Sequence, residues 1–341
     1  MSGRKRLFSR KDGVYLKDID PFMRFFPYIM KGRNEAAIYF SQAIDVTELK
    51  AYIRKRNRDV AVSRNGSIVT IFHTVITALV KTATERPHIN RFVIGRRVYQ
   101  RNEFSCSFVM KREFSEEGKE EILTLRFKPD DTLDTISRRI SGEVKKTREA
   151  LKHEEKERHG ILNLFNYIMN LPRFFLRAVV AFLFWLDYHG WLPKIIIDND
   201  PMHASCWLSN LGSLGVDAPF HHLYEWGTTS VFATIGVIKK EPRVMPDGTI
   251  AVRDMMNVAV TLDERIGDGY YYSMALKRFV EILENPEELE KPSTQGEVAA
   301  PKHTIPPKKS AASAPTESSR EISMDSDEET ENEPTVAAIT P

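Results

Sequence analysis

The sequence LDERIGDG, Leu262–Gly269, holds four charged side chains and two glycines in eight residues. It follows AVRDMMNVAVTL, an apolar and alternating run typical of a strand, and it precedes Tyr270–Glu284, whose apolar residues have helical spacing. The segment therefore predicts a strand-to-helix connection that is either a solvated corner or a place where chemistry occurs. Its charged residues are Asp263, Glu264, Arg265 and Asp268.

The composition is that of an ordinary globular chain, since 42% of the 341 residues are hydrophobic and 28% are charged. This length allows one large domain or two small ones. The 49 Lys and Arg residues nearly balance the 47 Asp and Glu residues, so no nucleic-acid partner is expected. From Lys291 onward there are five basic and nine acidic residues, which leaves 44 basic and 38 acidic residues before it. That mild excess suits a phosphorylated small ligand, or solubility alone.

The chain has two cysteines, Cys106 and Cys206, and no apolar secretory segment follows Met1. Two thiols in such a chain predict a reduced protein in the cytoplasm. No Cys or His spacing resembles a zinc site, so no metal is predicted.

The longest apolar run is FFLRAVVAFLFWL, Phe174–Leu186. Thirteen helical residues extend roughly 20 Å, which is short of the hydrocarbon core of about 30 Å. We therefore predict a buried helix, an interface helix or the wall of a substrate channel rather than a membrane span. Arg173 and Arg177 would flank that helix.

Strands and helices are predicted in an irregular order. A strand is expected over Ala36–Val46, a helix from Thr47, a second helix that stops before Pro87, and a strand pair around Gly95 and Arg96. A long amphipathic helix is predicted to begin near residue 131 and to end at Gly160. DIDPFMRFFPYIM, residues 18–30, is predicted to be extended because prolines interrupt it. Strands and helices that do not alternate regularly indicate an α+β fold with a mixed or mostly antiparallel sheet.

Five segments in this order resemble the catalytic domain of the 2-oxoacid dehydrogenase dihydrolipoamide acyltransferases and, more distantly, chloramphenicol acetyltransferase. AAIYFSQAIDVTELKAYIRKRN is similar to the family's first strand and helix. A block with Pro87 and Asn90 is similar to its P-x-x-N turn and strands. LSNLGSLG and TTSVFATIGVI are similar to its S-N-L-G turn and the following strand, and LDERIGDG is similar to its D-H-R-x-x-D-G signature.

The resemblance implies a chloramphenicol acetyltransferase-like two-layer sandwich over about residues 19–290, the acyltransferase-like catalytic domain. Residues 1–18 are then a basic leader, and residues 291–341 are an acidic, Pro- and Ser-rich tail that is predicted to be disordered. The family transfers acyl groups between coenzyme A and a thiol or hydroxyl acceptor, in trimers with active sites between subunits. Acyl-CoA would be a substrate, and no covalently bound cofactor is implied.

The family's mechanism implies roles for particular residues. A histidine of its signature is the general base, and a Ser or Thr hydroxyl stabilises the oxyanion. By position, Ser209 is the implied hydroxyl, and Asp268 is a structural, ion-paired residue in a framework with Arg265 and Gly269. Glu264 stands where the family has its histidine. The chain also has no lipoyl domain or swinging arm before this region.

Glu264 has three interpretations. A carboxylate, with a reference pKa of about 4.3, is a weak base for a thiol unless burial raises that pKa. It could instead form an ion pair with Arg265 or another cation, or it could orient a histidine that acts as the base. His221 and His222, which follow the S-N-L-G turn, are the candidates for that histidine.

Other candidate residues also have a structural interpretation. Ser209 could hydrogen-bond within its own turn, with Ser205 as the alternative hydroxyl. Arg96 and Arg97 could contact coenzyme A phosphates or could be the solvated tip of a hairpin. His73 is predicted to be a packed helix residue.

The leading hypothesis is a trimeric, cytoplasmic, coenzyme A-dependent acyltransferase-like protein. The alternative is a non-catalytic member of the family that acts as a binding or scaffold subunit. Membrane contact is not favoured, although a membrane-surface acyltransferase that uses Phe174–Leu186 as an interfacial helix is a third hypothesis.

Overall fold

A computed structural model describes residues 10–63, 66–111, 120–153, 170 and 172–293. The strands are β1 Gly13–Tyr15, β2 Ala37–Asp45, β3 Arg91–Ile94, β4 Arg97–Arg101, β5 Phe104–Lys111, β6 Glu120–Phe127, β7 Cys206–Asn210, β8 Val231–Val244 and β9 Ile250–Asp263. The helices are α1 Pro21–Ile29, α2 Thr47–Ser63, α3 Ile71–Glu85, α4 Leu133–His153, α5 Arg173–His189, α6 Lys194–Asn199 and α7 Gly269–Glu284.

The larger of two sheets has the strand order β2-β9-β8-β7-β5-β6. Its pairs are antiparallel except that β7 runs parallel to both β5 and β8. The smaller sheet, β1-β4-β3, is antiparallel throughout. The predicted α+β class with a mixed, mostly antiparallel sheet is confirmed.

Helices cover one face of the larger sheet and form its second layer. Alternate residues of β8, such as Val231, Ala233 and Ile235, lie in one apolar cluster with Ile76 of α3 and Phe279 of α7. Because successive side chains of a strand point to opposite faces, this cluster fixes which face is core. The architecture is the two-layer sandwich that the resemblance implied.

The opposite face is covered in part by residues 216–227, which we name the crossing segment. Leu223 of this segment packs with Trp207 of β7 and Phe232 of β8 in a second, smaller cluster. Thr234 of β8 donates a hydrogen bond from Oγ1 to the carbonyl of Pro219 at 2.6 Å. The crossing segment therefore lies over the face of β7 and β8 that the helices leave uncovered.

The predicted extended conformation of residues 18–30 is wrong, because Pro21–Ile29 forms helix α1. Asp20 caps the helix by accepting a hydrogen bond from the Phe22 N–H at 2.8 Å, and Pro21 at the first turn has no N–H to satisfy. Pro27 lies inside the helix and made its sequence resemble an extended segment.

Part of the predicted leader is ordered. Gly13–Tyr15 pairs with β4, and Arg10 is buried against Asp12 and Asp187. The boundary at residue 18 stays a prediction, since residues 1–9 lie outside the described residues. The predicted helix end at Gly160 and the tail from residue 294 also lie outside them.

The two cysteines are neighbours in the core of the larger sheet. Cys106 of β5 lies opposite Cys206 of β7 in the parallel register, and both are buried free thiols. Burial and a contact with Cys206 raise the pKa of the Cys106 thiol well above its usual value, with the Cys206 contact the larger cause.

Helix α5 contains the apolar run, but it is not buried within the chain. Phe174, Phe182 and Trp185 are 65%, 56% and 46% exposed. Its last turn is attached to the rest of the protein, where Asp187 pairs with Arg10. Among the described residues, no helix combines the length and apolar character needed to cross a membrane.

Candidate functional site

A buried ion pair forms the frame of LDERIGDG. Asp263 is fully buried and Arg265 nearly so. The Arg265 Nε and Nη2 donate to the two carboxylate oxygens of Asp263, each at 2.8 Å. Burial alone would lower the pKa of Arg265, but the hydrogen bonds and the charge of Asp263 raise it. A bidentate, desolvated pair of this kind fixes both side chains in one geometry.

The frame extends to the crossing segment through Arg33 and Glu225. The buried Arg33 guanidinium donates to the carbonyls of Glu225 and Val93 at 2.7 and 3.0 Å. The Glu225 carboxylate accepts the backbone N–H groups of Arg33 and Asn34, each at 3.0 Å. Burial lowers the pKa of Arg33 to about 10 even though carboxylates lie near it. Since Arg265 Nη1 also donates to the carbonyls of Met30 and Lys31 at 3.2 and 3.1 Å, residues 30–34 connect the end of β9 to the end of the crossing segment.

Glu264 lies outside this network although it follows Asp263 directly. Its backbone N–H donates to the Ala36 carbonyl at 2.8 Å. Its half-exposed carboxylate makes no hydrogen bond or ion pair with any residue that the structure describes. The predicted ion pair with Arg265 is wrong, because the guanidinium of Arg265 is bound to Asp263.

Asp268 has a structural role that differs from the predicted ion pair. Its Oδ1 accepts a hydrogen bond from the Tyr271 N–H at 2.7 Å and caps helix α7. The side chain is exposed, and within the described part of the chain it has no ion-pair partner. Gly269 is the first residue of the helix and is also exposed.

Ser209 differs from the serines around it. Ser205 accepts the Ser105 N–H at 3.0 Å, and Ser213 donates to the Asn210 carbonyl at 2.8 Å. The hydroxyl of Ser209 is half-buried and hydrogen-bonds to none of the described residues. The turn is therefore closed by its neighbours, and Ser209 keeps a hydroxyl that is available to a ligand.

Two glycines allow the S-N-L-G turn to lie directly on β8. A Cβ at Gly212 would collide with the carbonyl oxygen of Gly236, and a Cβ at Gly236 would collide with Asp217 of the crossing segment. The register of β8 against β9 shifts between Ile235 and Ile238, as in a β-bulge. Glycine is required where these three backbones approach one another.

His221 stacks on the exposed side of β8. Its ring lies 3.9 Å from the ring of Phe232 at an interplanar angle of 8°. The His221 Nδ1 lies 2.7 Å from the backbone carbonyl of His222, which only accepts hydrogen bonds. In the neutral ring Nδ1 therefore carries the proton and Nε2 has the free lone pair. His222 is exposed.

Ser209 and His221 lie over the same face of the sheet. Ser209 pairs with Thr234 in the parallel register, and Phe232 is two residues before Thr234 on that face. The Cβ atoms of Ser209 and Phe232 are therefore roughly 7–8 Å apart. Ser209 and the imidazole stacked on Phe232 therefore share one face of the sheet.

Glu264 is distant from Ser209 within one chain. Thr234 pairs with Ala259 of β9, and Glu264 follows five residues later. Because five residues of a strand span roughly 16 Å, Glu264 lies that far from Ser209 along the strand direction. The structure thus places Ser209 and His221 on one face of the sheet, with Glu264 farther along it.

Ser209 lines a cavity of about 510 Å³ between α3, α4 and the S-N-L-G turn. Arg148 of α4 and His73 of α3 also line it. His73 Nδ1 accepts the Thr70 N–H at 3.0 Å, and burial lowers the pKa of this imidazole to about 4. His73 is a packed, helix-capping residue, as the sequence predicts.

Arg96 and Arg97 lie at the turn between β3 and β4. Arg96 has a positive φ of 56°, and its guanidinium is 5.5 Å from the ring centre of Tyr28. The Arg97 guanidinium is 5.9 Å from that of Tyr15. A coenzyme A contact by either residue stays a prediction. Among the described residues, no three His, Cys, Asp or Glu side chains are grouped as a metal site.

Comparison with known proteins supports the resemblance. Residues 196–290 match the family of 2-oxoacid dehydrogenases acyltransferase (catalytic domain). The lipoamide acyltransferase component of the branched-chain alpha-keto acid dehydrogenase complex of Bacillus subtilis (strain 168) is 23% identical over 245 residues. That alignment covers 72% of this chain but 46% of the relative, so the chain spans about half of that protein's length.

Two solved structures have a similar fold. A probable dihydrolipoamide acetyltransferase from Listeria monocytogenes 4b F2365 has a TM-score of 0.52 at 17% identity and covers 80% of this chain and 95% of its own. The dihydrolipoamide acetyltransferase of Azotobacter vinelandii has a TM-score of 0.51 at 14% identity, with 80% and 94% covered. The predicted resemblance and fold class are therefore confirmed.

Proposed function

We propose that this chain transfers an acyl group from acyl-CoA to a thiol or hydroxyl acceptor, at a site between the subunits of a trimer in the cytoplasm. The observation that carries the proposal is the unpartnered Ser209 hydroxyl beside the stacked His221 on one sheet face. The match of residues 196–290 to an acyltransferase catalytic domain supports the same chemistry.

His221 is the proposed general base. Its Nδ1 proton is held by the His222 carbonyl, so the Nε2 lone pair faces away from that contact and can accept the acceptor's proton. The deprotonated thiol or hydroxyl then attacks the thioester carbonyl. When the tetrahedral intermediate collapses, the C–S bond breaks, and the leaving coenzyme A sulfur receives the proton from His221.

Ser209 is the proposed oxyanion donor. Its hydroxyl, which hydrogen-bonds to none of the described residues, can donate to the carbonyl oxygen as negative charge develops on it. The proposed acyl-CoA site is the sheet face that Ser209 shares with the His221–Phe232 stack, since the cavity of about 510 Å³ that Ser209 also lines lies among α3, α4 and β5 on the helix-covered face. Arg96 and Arg97, at the turn between β3 and β4, stay the proposed contacts for a coenzyme A phosphate.

Glu264 is proposed to act across the subunit interface. It lies roughly 16 Å along the sheet from Ser209 of its own chain, so it cannot join that site directly. A trimer of the kind that the resemblance implies would bring Glu264 of one subunit to His221 of the next. A half-exposed carboxylate lacks the apolar surroundings of a carboxylate base, and we assign it the stabilisation of the imidazolium.

Turnover with acyl-CoA tests the proposal. Purified protein with acetyl-CoA and a panel of thiol and alcohol acceptors should release free coenzyme A thiol. His221→Gln should reduce the rate about 100-fold or more, because it removes the base, and Glu264→Gln should reduce it about tenfold. His222→Gln is the matched control, since it changes the exposed neighbour while keeping the backbone carbonyl, and should stay within about threefold.

The same assay separates the alternative hypothesis of a non-catalytic binding subunit. The replacement of the family's histidine by Glu264 favours that alternative. Binding of coenzyme A without turnover by any acceptor would support it and contradict the proposed reaction. A His221→Gln variant with unchanged turnover would remove this residue from the mechanism.

A further inference from the structure

Helix α5 and the turn after it expose an unusual number of large apolar side chains. Trp191 follows the helix and is 61% exposed, and Phe175 at its start is 51% exposed. We name this region the α5 surface and define it by six of its exposed apolar residues, namely Phe174, Phe175, Val179, Phe182, Trp185 and Trp191.

The size of the α5 surface calls for a partner. A helix that is apolar on most sides is normally buried, either in a protein or in lipid. Aromatic side chains of this kind, each about half exposed, together present roughly 600 Å² of apolar surface. This area is at the upper limit of the largest apolar patch on a typical soluble monomer. The sequence predicts a buried or interface helix, and the part of the chain that the structure describes does not bury it.

The exposed charges on α5 itself have one sign. Arg173 and Arg177 are exposed on its first turns, whereas Lys194, just after the helix, pairs with Asp198 at 2.6 Å. Asp187 is the one acidic residue between Arg173 and Lys194, and it is buried in its ion pair with Arg10 at 2.7 Å. The exposed surface is therefore aromatic and cationic.

Helix α1 adds a second surface of the same kind next to the end of α5. The turn between β3 and β4 contacts both helices. A Cβ at Gly95 would collide with the Tyr188 carbonyl of α5, and Arg96 lies over Tyr28 of α1. Phe22 and Phe25 of α1 are 71% and 54% exposed. The one charged residue of α1 is a basic one, Arg24.

We propose that α5 and α1 bind the protein to an anionic lipid surface. Amphipathic or apolar helices that carry Trp and Phe on one side and Arg or Lys beside them lie in the plane of the bilayer interface. Tryptophan favours that depth, and each basic residue near an anionic surface adds attraction. Seventeen residues of α5 would lie along the interface for roughly 25 Å.

A two-fold contact with a second copy fits this surface less well, whereas a contact between different patches in a trimer is an outcome that the sedimentation experiment tests. In a two-fold contact the same patch faces itself, so Arg173 and Arg177 of one copy would approach the same cations of the other. Anionic headgroups instead complement these cations. The inference goes beyond the proposed reaction and does not depend on it.

Vesicle co-sedimentation without acyl-CoA tests the proposal. The full chain should bind phosphatidylcholine vesicles that contain phosphatidylglycerol at least about tenfold more tightly than pure phosphatidylcholine vesicles, and added salt should weaken that binding. Tryptophan emission of the unaltered protein should also be quenched by brominated phosphatidylglycerol. Absence of binding, or of quenching in the bound protein, overturns the proposal.

Two pairs of variants separate the apolar and the charged contributions. Phe182→Ser with Trp185→Ser, and Arg173→Glu with Arg177→Glu, should each weaken binding to the anionic vesicles at least about tenfold. Ile250→Ser with Val252→Ser is the apolar control, because these residues are 73% and 68% exposed in the hairpin formed by β8 and β9.

Arg54→Glu with Arg58→Glu is the charge control, since both arginines are exposed with the same four-residue spacing on α2. Controls that weaken binding as much as the α5 variants contradict the proposal. Sedimentation velocity of the Phe182→Ser and Trp185→Ser variant should give the oligomer of the unaltered protein. If this variant forms a smaller particle and the unaltered protein does not bind vesicles, α5 is a subunit interface and the proposal is overturned.

Discussion

Asp263 and Glu264 are adjacent carboxylates in opposite environments. Asp263 is fully buried and is bound on both oxygens by Arg265. Glu264 is half exposed and hydrogen-bonds to none of the described residues through its carboxylate. The difference shows that one short motif combines a structural frame with a side chain that is free for another task.

The same contrast separates two regions of the molecule. The frame, made by the buried Asp263, Arg265 and Arg33 together with the exposed Glu225, uses nearly all of its hydrogen-bonding groups within the chain. The open face beside β7 and β8 holds a Ser209 hydroxyl that the described chain leaves unbound. Groups of the first kind should control stability, and groups of the second kind should control reaction.

The largest expected effect is on the frame. Arg265→Ala leaves the Asp263 carboxylate buried without its partner, so the free energy of unfolding should fall by about 3–5 kcal/mol. Glu264→Gln, one residue away, should change it by less than about 0.5 kcal/mol. Urea denaturation measures both values. Equal losses for the two variants would remove the distinction between frame and open site.

A fall in pH should lower the stability of the fold through the buried imidazole of His73. The folded-state pKa of His73 is about 4, below its unfolded value near 6.5, so the unfolded chain binds more protons between these pH values. Stability contributed by the neutral imidazole is present above pH 6.5 and is lost as pH falls toward 4. His73→Gln should reduce that loss by about 2–3 kcal/mol, measured by urea denaturation at both pH values.

The next expected effect is on the reaction rate and concerns Ser209, on the open face beside β7 and β8. Ser209→Ala should lower kcat about 100-fold with little change in stability, because it removes an oxyanion donor that has no structural partner in the described chain. Ser213→Ala is the matched control, since its hydroxyl closes the turn on Asn210. It should alter stability slightly and kcat by less than about threefold. The reverse order of rate losses would contradict the assignment of Ser209.

Much of the fold follows from local patterns in the sequence. Charged, Gly, Ser, Asn and Pro residues at short spacing indicate three connections, which are the strand-to-helix connection at Leu262–Gly269, the turn after β7 and the helix end before Pro87. Helix α1 was missed because Pro27 outweighed the capping signal of Asp20 and Pro21. For α5 the sequence leaves a buried and an interface helix as alternatives, because apolar composition predicts burial without showing whether the chain itself supplies the cover.

The site itself depends on contacts that sequence spacing does not show. Ser209 and Glu264 were identified through the resemblance, but their separation follows from strand register. His221 reaches the face of Ser209 because the crossing segment stacks on Phe232. Arg33 and Glu225 are 192 residues apart in sequence, so no local pattern indicates their contact.

Mixed oligomers test the central claim most directly, namely that Glu264 of one subunit completes the site that holds Ser209 and His221 of another. Glu264→Gln and Ser209→Ala subunits are co-expressed with different affinity tags, and the mixed oligomers are isolated and assayed. Each isolated mixed trimer holds two subunits of one kind and one of the other, so one of its three interfaces receives both unaltered residues, and activity should rise toward about a third of the unaltered enzyme's rate. Activity no higher than the average of the two single-variant proteins would contradict a site shared between subunits.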